Sequence, residues 1–212
     1  MKDEANYIII TISGALSGSY NSATLAKNTI LEKYPNRNIE VINSKSTGPE
    51  IVLLIERIIE LIKEKKTFSE VVKLSNEYLS GSKITFALSS YDNLIKAGRM
   101  PKLIGFIAKL FGIWGVGIAS NEGRINVIKK VRGEKQAMKA IIDDIKSRVL
   151  YPMSLIISYC HNLKFATELM NLIKSKWNEV LVKIIPTRGL CSYYAEKNGV
   201  LVGFYGKPIL NN

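Results

Sequence analysis

Residues 7–23 read YIIITISGALSGSYNSA, and the change of character at Ser13 decides the fold class. Residues 7–12 form a short apolar run rich in β-branched side chains, the pattern of a strand buried on both faces in a parallel sheet. Two Ser-Gly pairs, Ser13-Gly14 and Ser17-Gly18, then turn the chain, and the spacing predicts a helix over 20–33 that stops before Pro35. A strand that runs through a small-residue turn into a helix opens an α/β unit, whose crossovers are right-handed.

The pattern continues on the C-terminal side. Residues 39–42 (IEVI) predict a second strand, and 43–49 a turn rich in Ser, Thr and Gly. A helix is predicted over 50–65, with apolar residues at 51, 54, 55, 58, 59 and 62 on one stripe. Thr67 and Glu70 have capping-box spacing and start another helix that runs to about Ser80. Further along, the readings are a strand over 84–89, a short helix or turn over 92–98 and a hairpin over 113–128 around Asn121-Glu122-Gly123. They continue as a helix over 134–148, a strand over 155–159, a helix over 165–177, a strand over 180–185, a short helix over 190–197 and a last strand over 200–205. The expected architecture is α/β in two domains. A parallel-sheet domain spans 1–83, and a smaller α/β domain spans 84–212 and leans on it across a cleft.

The 212 residues suffice for one large domain or two small ones. Thirty Lys and Arg against 18 Asp and Glu leave a net charge of +12, densest at Lys129, Lys130 and Arg132 with Lys135 close behind. Such a field attracts acidic ligands, nucleic acid or anionic lipid. Lys, Ile and Asn recur throughout, so compositional bias is the competing reading, and no nucleic-acid motif is present. Cys160, Cys191 and the single His161 make no metal spacing, so neither metal nor cofactor is expected. Two distant thiols and an N-terminus unlike a signal peptide point to the cytoplasm. The apolar run over 103–119 contains Lys109 and four glycines and falls short of the ~20 residues of a membrane span, so it reads as a buried helix followed by a strand.

The chemistry concentrates at the Ser-Gly turn. Glycine allows a ligand to approach the backbone, the first N–H groups of a helix lack intrahelical partners, and the macrodipole places about half a positive charge there. Serine hydroxyls add donors, so the turn is a candidate cradle for a carboxylate or phosphate. The competing reading makes Ser17 or Ser19 only a helix cap. The segment has neither the Gly-Lys-Ser/Thr of a P-loop nor GxGxxG, and GALSG is one residue too long for a nucleophile elbow. His161 has no nucleophile or carboxylate named as its partner and reads as a strand-end turn residue. Cys191, close to Arg188, reads as a thiol of lowered pKa or as a buried structural cysteine.

These motifs resemble, in order, those of the DegV family. TISGALSGSYNSA (11–23) is similar to the family's strand followed by I-S-S-x-L-S-G-T-Y-Q-S-A, and VINSKSTGPE (41–50) to its V-I-D-S segment, with Asn43 where Asp is usual. SYDNLIKAGRM (90–100) resembles L-x-x-L-K-K-G-G-R-I, and ASNEGRI (119–125) with KKVRGEKQAMKAI (129–141) resembles the D-G-K-I strand and the V-R-x-x-K-A segment after it. TRGLCSYYAEKNGVLVGFYG (187–206) resembles the C-terminal strand, turn and strand.

The resemblance implies a non-enzymatic protein that holds a long-chain fatty acid between two α/β domains and presents it to a fatty-acid kinase. It implies that Ser17, with Ser13, Gly18 and Ser19 nearby, holds the carboxylate, and that Arg99 and Arg132 stand at the mouth facing the acyl phosphate or the kinase. In the stretch IPTRGLC (185–191), where many members carry His, this chain has Thr187 and Arg188; Arg188 is the candidate replacement for the carboxylate's cationic partner. Candidate tunnel walls are 103–114, Phe204 and Tyr205. Family members also carry an opening strand–helix unit ahead of the hallmark strand, which here starts at Tyr7. Three other functions stay open: an enzyme or binder for a small phosphorylated ligand at the same anion site, a basic nucleic-acid or membrane binder, and a scaffold that has lost lipid binding.

Overall fold

In the computed structural model, residues 5–101 and 112–209 are described. The elements are β1 (Tyr7–Thr11), α1 (Ser19–Lys33), β2 (Ile39–Asn43), α2 (Pro49–Lys63), α3 (Phe68–Gly81), β3 (Ser82–Leu88), α4 (Asp92–Lys96), β4 (Ile113–Ala119), β5 (Ile125–Arg132), α5 (Glu134–Arg148), β6 (Val149–Tyr159), α6 (Leu163–Lys176), β7 (Leu181–Pro186), α7 (Gly189–Ala195) and β8 (Val200–Pro208). They build the expected mixed α/β architecture around two sheets. β1 and β2 pair in parallel, Tyr7 opposite Ile39 and Thr11 opposite Asn43. The second sheet has six strands in the order β5-β4-β3-β8-β6-β7 and is the larger of the two. Its neighbours are antiparallel except β6 and β7.

The large sheet is covered on both faces. On one, Ile141 and Ile145 of α5 and Phe165, Leu169 and Ile173 of α6 are fully buried against β3, β6 and β8. Trp114 stacks on Phe165 there with ring centroids 5.3 Å apart. On the other, α2 and α3 lie against β8. The start of α2 sits so close that a Cβ on Gly203 would come within 2.5 Å of the Glu50 amide nitrogen, so only glycine fits. A smaller cluster, made of Ile42, Leu54, Ile58, Leu61 and Val71, joins β1 and β2 to the same two helices.

Local signals explain most boundaries. Pro49 occupies the first turn of α2, where its missing N–H is harmless. The capping box is present: Glu70 N donates to Thr67 Oγ1 at 3.4 Å, and Thr67 N donates to Glu70 Oε2 at 2.8 Å. The largest departure is β6, which begins at Val149 and not at 155. Its early half pairs with the end of β8 through register breaks around Pro152, which masks the alternation of a regular strand. The hairpin also extends to Arg132, so Lys129, Lys130 and Arg132 stand exposed on the edge strand β5, a usual way of blocking unwanted strand pairing. Of the apolar run over 103–119, residues 113–119 form the expected strand β4, while 103–111 lie outside the described residues. No helix among the described residues is long and apolar enough to cross a membrane.

Candidate functional site

The loop between β1 and α1 carries two Ser-Gly pairs with different tasks. Ser13 is fully buried. Its Oγ donates to Gly123 O at 2.7 Å and accepts from Ala15 N at 3.2 Å, while its own amide donates to Ser46 O at 2.9 Å. Leu16 N and Ser17 N both donate to Ser13 O, at 3.0 and 3.1 Å. Ser13 thus fastens the loop to the β4–β5 hairpin turn, its hydroxyl engaged with Gly123 and Ala15, and it is not among the residues that line the cavity described below. Gly123 has a φ of +79°, and a Cβ there would come within 2.2 Å of Ser13 Oγ, so glycine is required at that contact. Asn43 serves the same closure: its Oδ1 accepts from Gly14 N at 3.1 Å and from Lys45 N at 3.0 Å. An amide oxygen fills the accepting role as a carboxylate oxygen would, which accommodates Asn where the family pattern has Asp.

The second pair points elsewhere. Ser17 Oγ accepts from Ser19 N at 3.2 Å, so the hydroxyl proton remains to be donated, with no acceptor among the described residues. Gly18 precedes α1 without a side-chain cap, and no acidic residue stands in the first turn. The positive end of a 15-residue helix is left uncompensated. Arg99 crosses the loop just there. Its Nε donates to Leu16 O at 3.0 Å and a terminal nitrogen to Ala97 O, which holds the guanidinium beside Ser17.

A cavity of about 180 Å³ opens against Ser17 and Arg99. Its walls come from β3 (Phe86, Leu88), α4 (Leu94), α7 (Leu190, Tyr194) and β8 (Leu201). Among the described residues Arg99 is the only charged one lining it. The other polar side chains among the described lining residues are Ser17, Thr47, Cys191 and Tyr194, with Thr47 Oγ1 and Cys191 Sγ 3.7 Å apart. The space is therefore greasy along its length and polar, with a positive bias, at one end.

Of the residues predicted from sequence, Ser17 and Arg99 border this cavity. Gly18 and Ser19 carry the chain from Ser17 into α1 and are exposed. Arg132 does not line the space: it ends β5, seven residues beyond the cavity-lining Ile125, which is roughly 20 Å along a strand. Thr187 is occupied locally. Its Oγ1 donates to Tyr159 O at 3.1 Å and lies 2.8 Å from Ser192 Oγ, so it braces the start of α7. Arg188 is the exposed residue before α7.

The expected wall residues Phe204 and Tyr205 lie elsewhere. Phe204 is fully buried under α5 and α6, and Tyr205 stacks on Tyr78 at 4.2 Å. Cys191 borders the cavity, a place that proximity to Arg188 in the sequence does not reveal. Thr47, Leu94, Tyr194 and Leu201 were legible only as parts of their elements, because nothing local marks a wall built from segments far apart in the sequence. Among the described residues no group of three His, Cys, Asp or Glu side chains is placed to hold a metal ion.

An α/β fold with an apolar pocket, bounded at one end by a helix N-terminus and an arginine, defines a class of small-molecule-binding protein. The chain belongs to the DegV family, whose family model, described as an uncharacterised protein of that family, matches residues 1–207. A DegV domain-containing protein of Streptococcus gordonii is 41% identical over 199 residues, covering 94% of this chain and 71% of that protein. Among solved structures, the Streptococcus pneumoniae Fatty Acid Kinase (Fak) B3 protein loaded with linoleic acid is 39% identical, with a TM-score of 0.92 over 96% of this chain and 73% of that one. A DegV family protein of Eubacterium eligens loaded with heptadecanoic acid is 32% identical, with a TM-score of 0.89 over 97% of this chain and 75% of that one.

Proposed function

We propose that this chain binds a long-chain fatty acid, with the acyl chain in the apolar cavity and the carboxylate at the N-terminus of α1 between Ser17 and Arg99. One observation carries this reading: among the described residues the only charged side chain lining the cavity is a cation, placed beside an uncapped helix start. A carboxylate there accepts from the Ser17 hydroxyl, free first-turn amides and the guanidinium, whose planar fork matches a carboxylate. Each buried methylene contributes about 0.8 kcal/mol, so some fourteen contribute roughly 11 kcal/mol before immobilisation costs. The tail supplies the affinity; the head supplies orientation and excludes uncharged lipids. The fatty acids bound by the S. pneumoniae and E. eligens relatives support the same ligand class.

In this reading the protein is a carrier and not an enzyme. It works in the cytoplasm and hands the acid to a fatty-acid kinase, a partner indicated by the name of the S. pneumoniae relative. Arg99, exposed at the polar end, lies where a kinase would meet the carboxylate. We assign Arg132 and Arg188, which do not line the cavity, to the partner's surface and not to the carboxylate. A small phosphorylated ligand at the same anion site is disfavoured, because the walls beyond Ser17 and Arg99 give its polar groups almost no hydrogen-bond partners.

Mass spectrometry of the organic extract of the purified protein tests the proposal, together with thermal shifts on adding long-chain acids to delipidated protein. A co-purifying fatty acid and a raised Tm are expected. An extract free of acyl chains, combined with a Tm indifferent to added acid, would remove the carrier function.

A further inference from the structure

The loop that carries Ser17 is fixed by contacts from distant parts of the chain. The Ser13 amide donates to Ser46 O at 2.9 Å and the Gly14 amide to Asn43 Oδ1 at 3.1 Å, both acceptors lying where β2 gives way to α2. The hairpin of the large sheet supplies a third point, because Gly123 O accepts from Ser13 Oγ at 2.7 Å. Arg99, just beyond α4, supplies a fourth, its Nε donating to Leu16 O at 3.0 Å. Ser13 O in turn accepts from the Leu16 and Ser17 amides at 3.0 and 3.1 Å. Ser17 is therefore placed by a single bond from Ser13, and Ser13 is placed by the tip between β4 and β5.

That tip is built to hold the contact. Ser120 Oγ accepts from the Glu122 and Arg124 amides, both at 3.2 Å, and Gly123 N donates to Ser120 O at 2.8 Å. Gly123 is buried, and a Cβ on it would come within 2.2 Å of Ser13 Oγ and 2.7 Å of Lys45 O, so only glycine lets tip and loop meet. Asn43 closes the loop from the other side, its Oδ1 also accepting from Lys45 N at 3.0 Å. Two residues beyond Gly123, Ile125 lines the cavity, so one hairpin meets both the head-group loop and the apolar wall. Ser13, Asn43 and Gly123 are not among the described residues that line the cavity.

We propose that Ser13, Asn43 and Gly123 are positioning residues for the ligand's carboxylate: without touching it, they hold Ser17 and the start of α1 in register with Arg99. This rests on the reading of Ser17 and Arg99 as the carboxylate site. Hydrogen bonds to a carboxylate weaken steeply with distance and angle, and a helix start offers its field only over the first turn. A loop released from the hairpin would shift Ser17 and the helix start relative to the guanidinium, so the head group would lose its donors as a set while the wall stayed in place.

Titration calorimetry with a long-chain acid and with its methyl ester separates placement of the head from integrity of the fold, because the acid reads head and wall and the ester reads the wall alone. Ser13→Ala should weaken acid binding by about tenfold, the scale of one hydrogen bond to a charged group, and leave the ester unchanged. Gly123→Ala, which drives a methyl into the contact, should act at least as strongly. Asn43→Leu should behave like Ser13→Ala, whereas Asn43→Asp keeps the acceptor and should retain the preference for acid. Asn121→Ala, exposed on the same tip, should change neither ligand. The two Asn43 variants carry the test where Ser13→Ala or Gly123→Ala fails to fold. A wild type that prefers the acid, with that preference intact in Ser13→Ala and Asn43→Leu, overturns the positioning role alone. Equal loss of acid and ester overturns it too and assigns these residues to general stability. A wild type that binds acid and ester alike removes the carboxylate site, and this inference with it.

Discussion

The two sheets of this molecule are built to different standards. The six-stranded sheet is sealed by helices on both faces and holds twenty-one buried apolar residues in one cluster, from Ala87 to Phe204. The two-stranded sheet rests on a cluster of five and is overlain by a helix that buries nothing. Yet the small sheet presents the loop and helix start where the anion chemistry sits, while the large sheet and α7 supply the greasy wall. Rigidity and binding chemistry are thus divided between regions, and the polar end of the cavity belongs to the less firmly packed one. Sites that must admit and release a ligand are commonly drawn from the low-stability end of a structure.

Four measurements break or sharpen this contrast. The largest effect belongs to the sealed core. Phe165→Ala removes a fully buried ring stacked on Trp114 and should cost about 3–5 kcal/mol in urea unfolding. A loss near zero would mean that the large sheet does not carry the stability. Next is the polar end: Arg99→Met keeps much of the side-chain volume but deletes the cation, and should weaken fatty-acid binding by roughly tenfold to a hundredfold, the range for a hydrogen bond to a charged group. Titration calorimetry with a long-chain acid and with its methyl ester should show the loss for the acid alone.

The third concerns pH. Burial pushes the Glu50 carboxyl above its ordinary value, against the opposing pull of hydrogen bonds such as that from Ser82 Oγ at 2.6 Å. The folded chain therefore holds this proton more firmly than the unfolded chain. The associated stability is complete below the unfolded carboxylate pKa and is lost as pH rises through the raised folded value. Glu50→Gln keeps an acceptor for Ser82 and removes that decline. Its advantage over wild type in Tm should be small at low pH and grow toward neutrality. Asp144, also raised by burial, stays in both proteins and contributes the same sign. The smallest effect is expected on α1, where Leu25→Ser should change stability by no more than about 0.5 kcal/mol, because the side chain is already 68% exposed.

The same division explains what the amino-acid sequence discloses. The turn from β1 into α1, the capping box at Thr67 and the hairpin around Gly123 are local patterns, and each is legible where it stands. The second Ser-Gly pair is legible for the same reason, since an uncapped helix start is a property of consecutive residues. The first pair is not: Ser13 owes its role to a bond with Gly123, 110 residues away, that no spacing announces. The cavity wall is hidden in the same way, assembled from β3, α4, α7 and β8 with no shared motif. β8 shows the limit well. Its alternation is visible, but which face meets the cavity depends on where α2 and α5 land. Phe204 therefore looks like a tunnel aromatic in sequence and lies in the opposite core, whereas the unremarked Leu201 lines the pocket.

A fatty acid labelled with carbon-13 at its carboxyl, bound to the protein and titrated by NMR, interrogates the polar end itself. Seated among the α1 amides, Ser17 and Arg99, the bound carboxyl should titrate below the range of an ordinary carboxylic acid, and Arg99→Met should move it back upward. A bound acid that titrates at or above the ordinary range, unmoved by Arg99→Met, would show that its head group lies somewhere other than the start of α1.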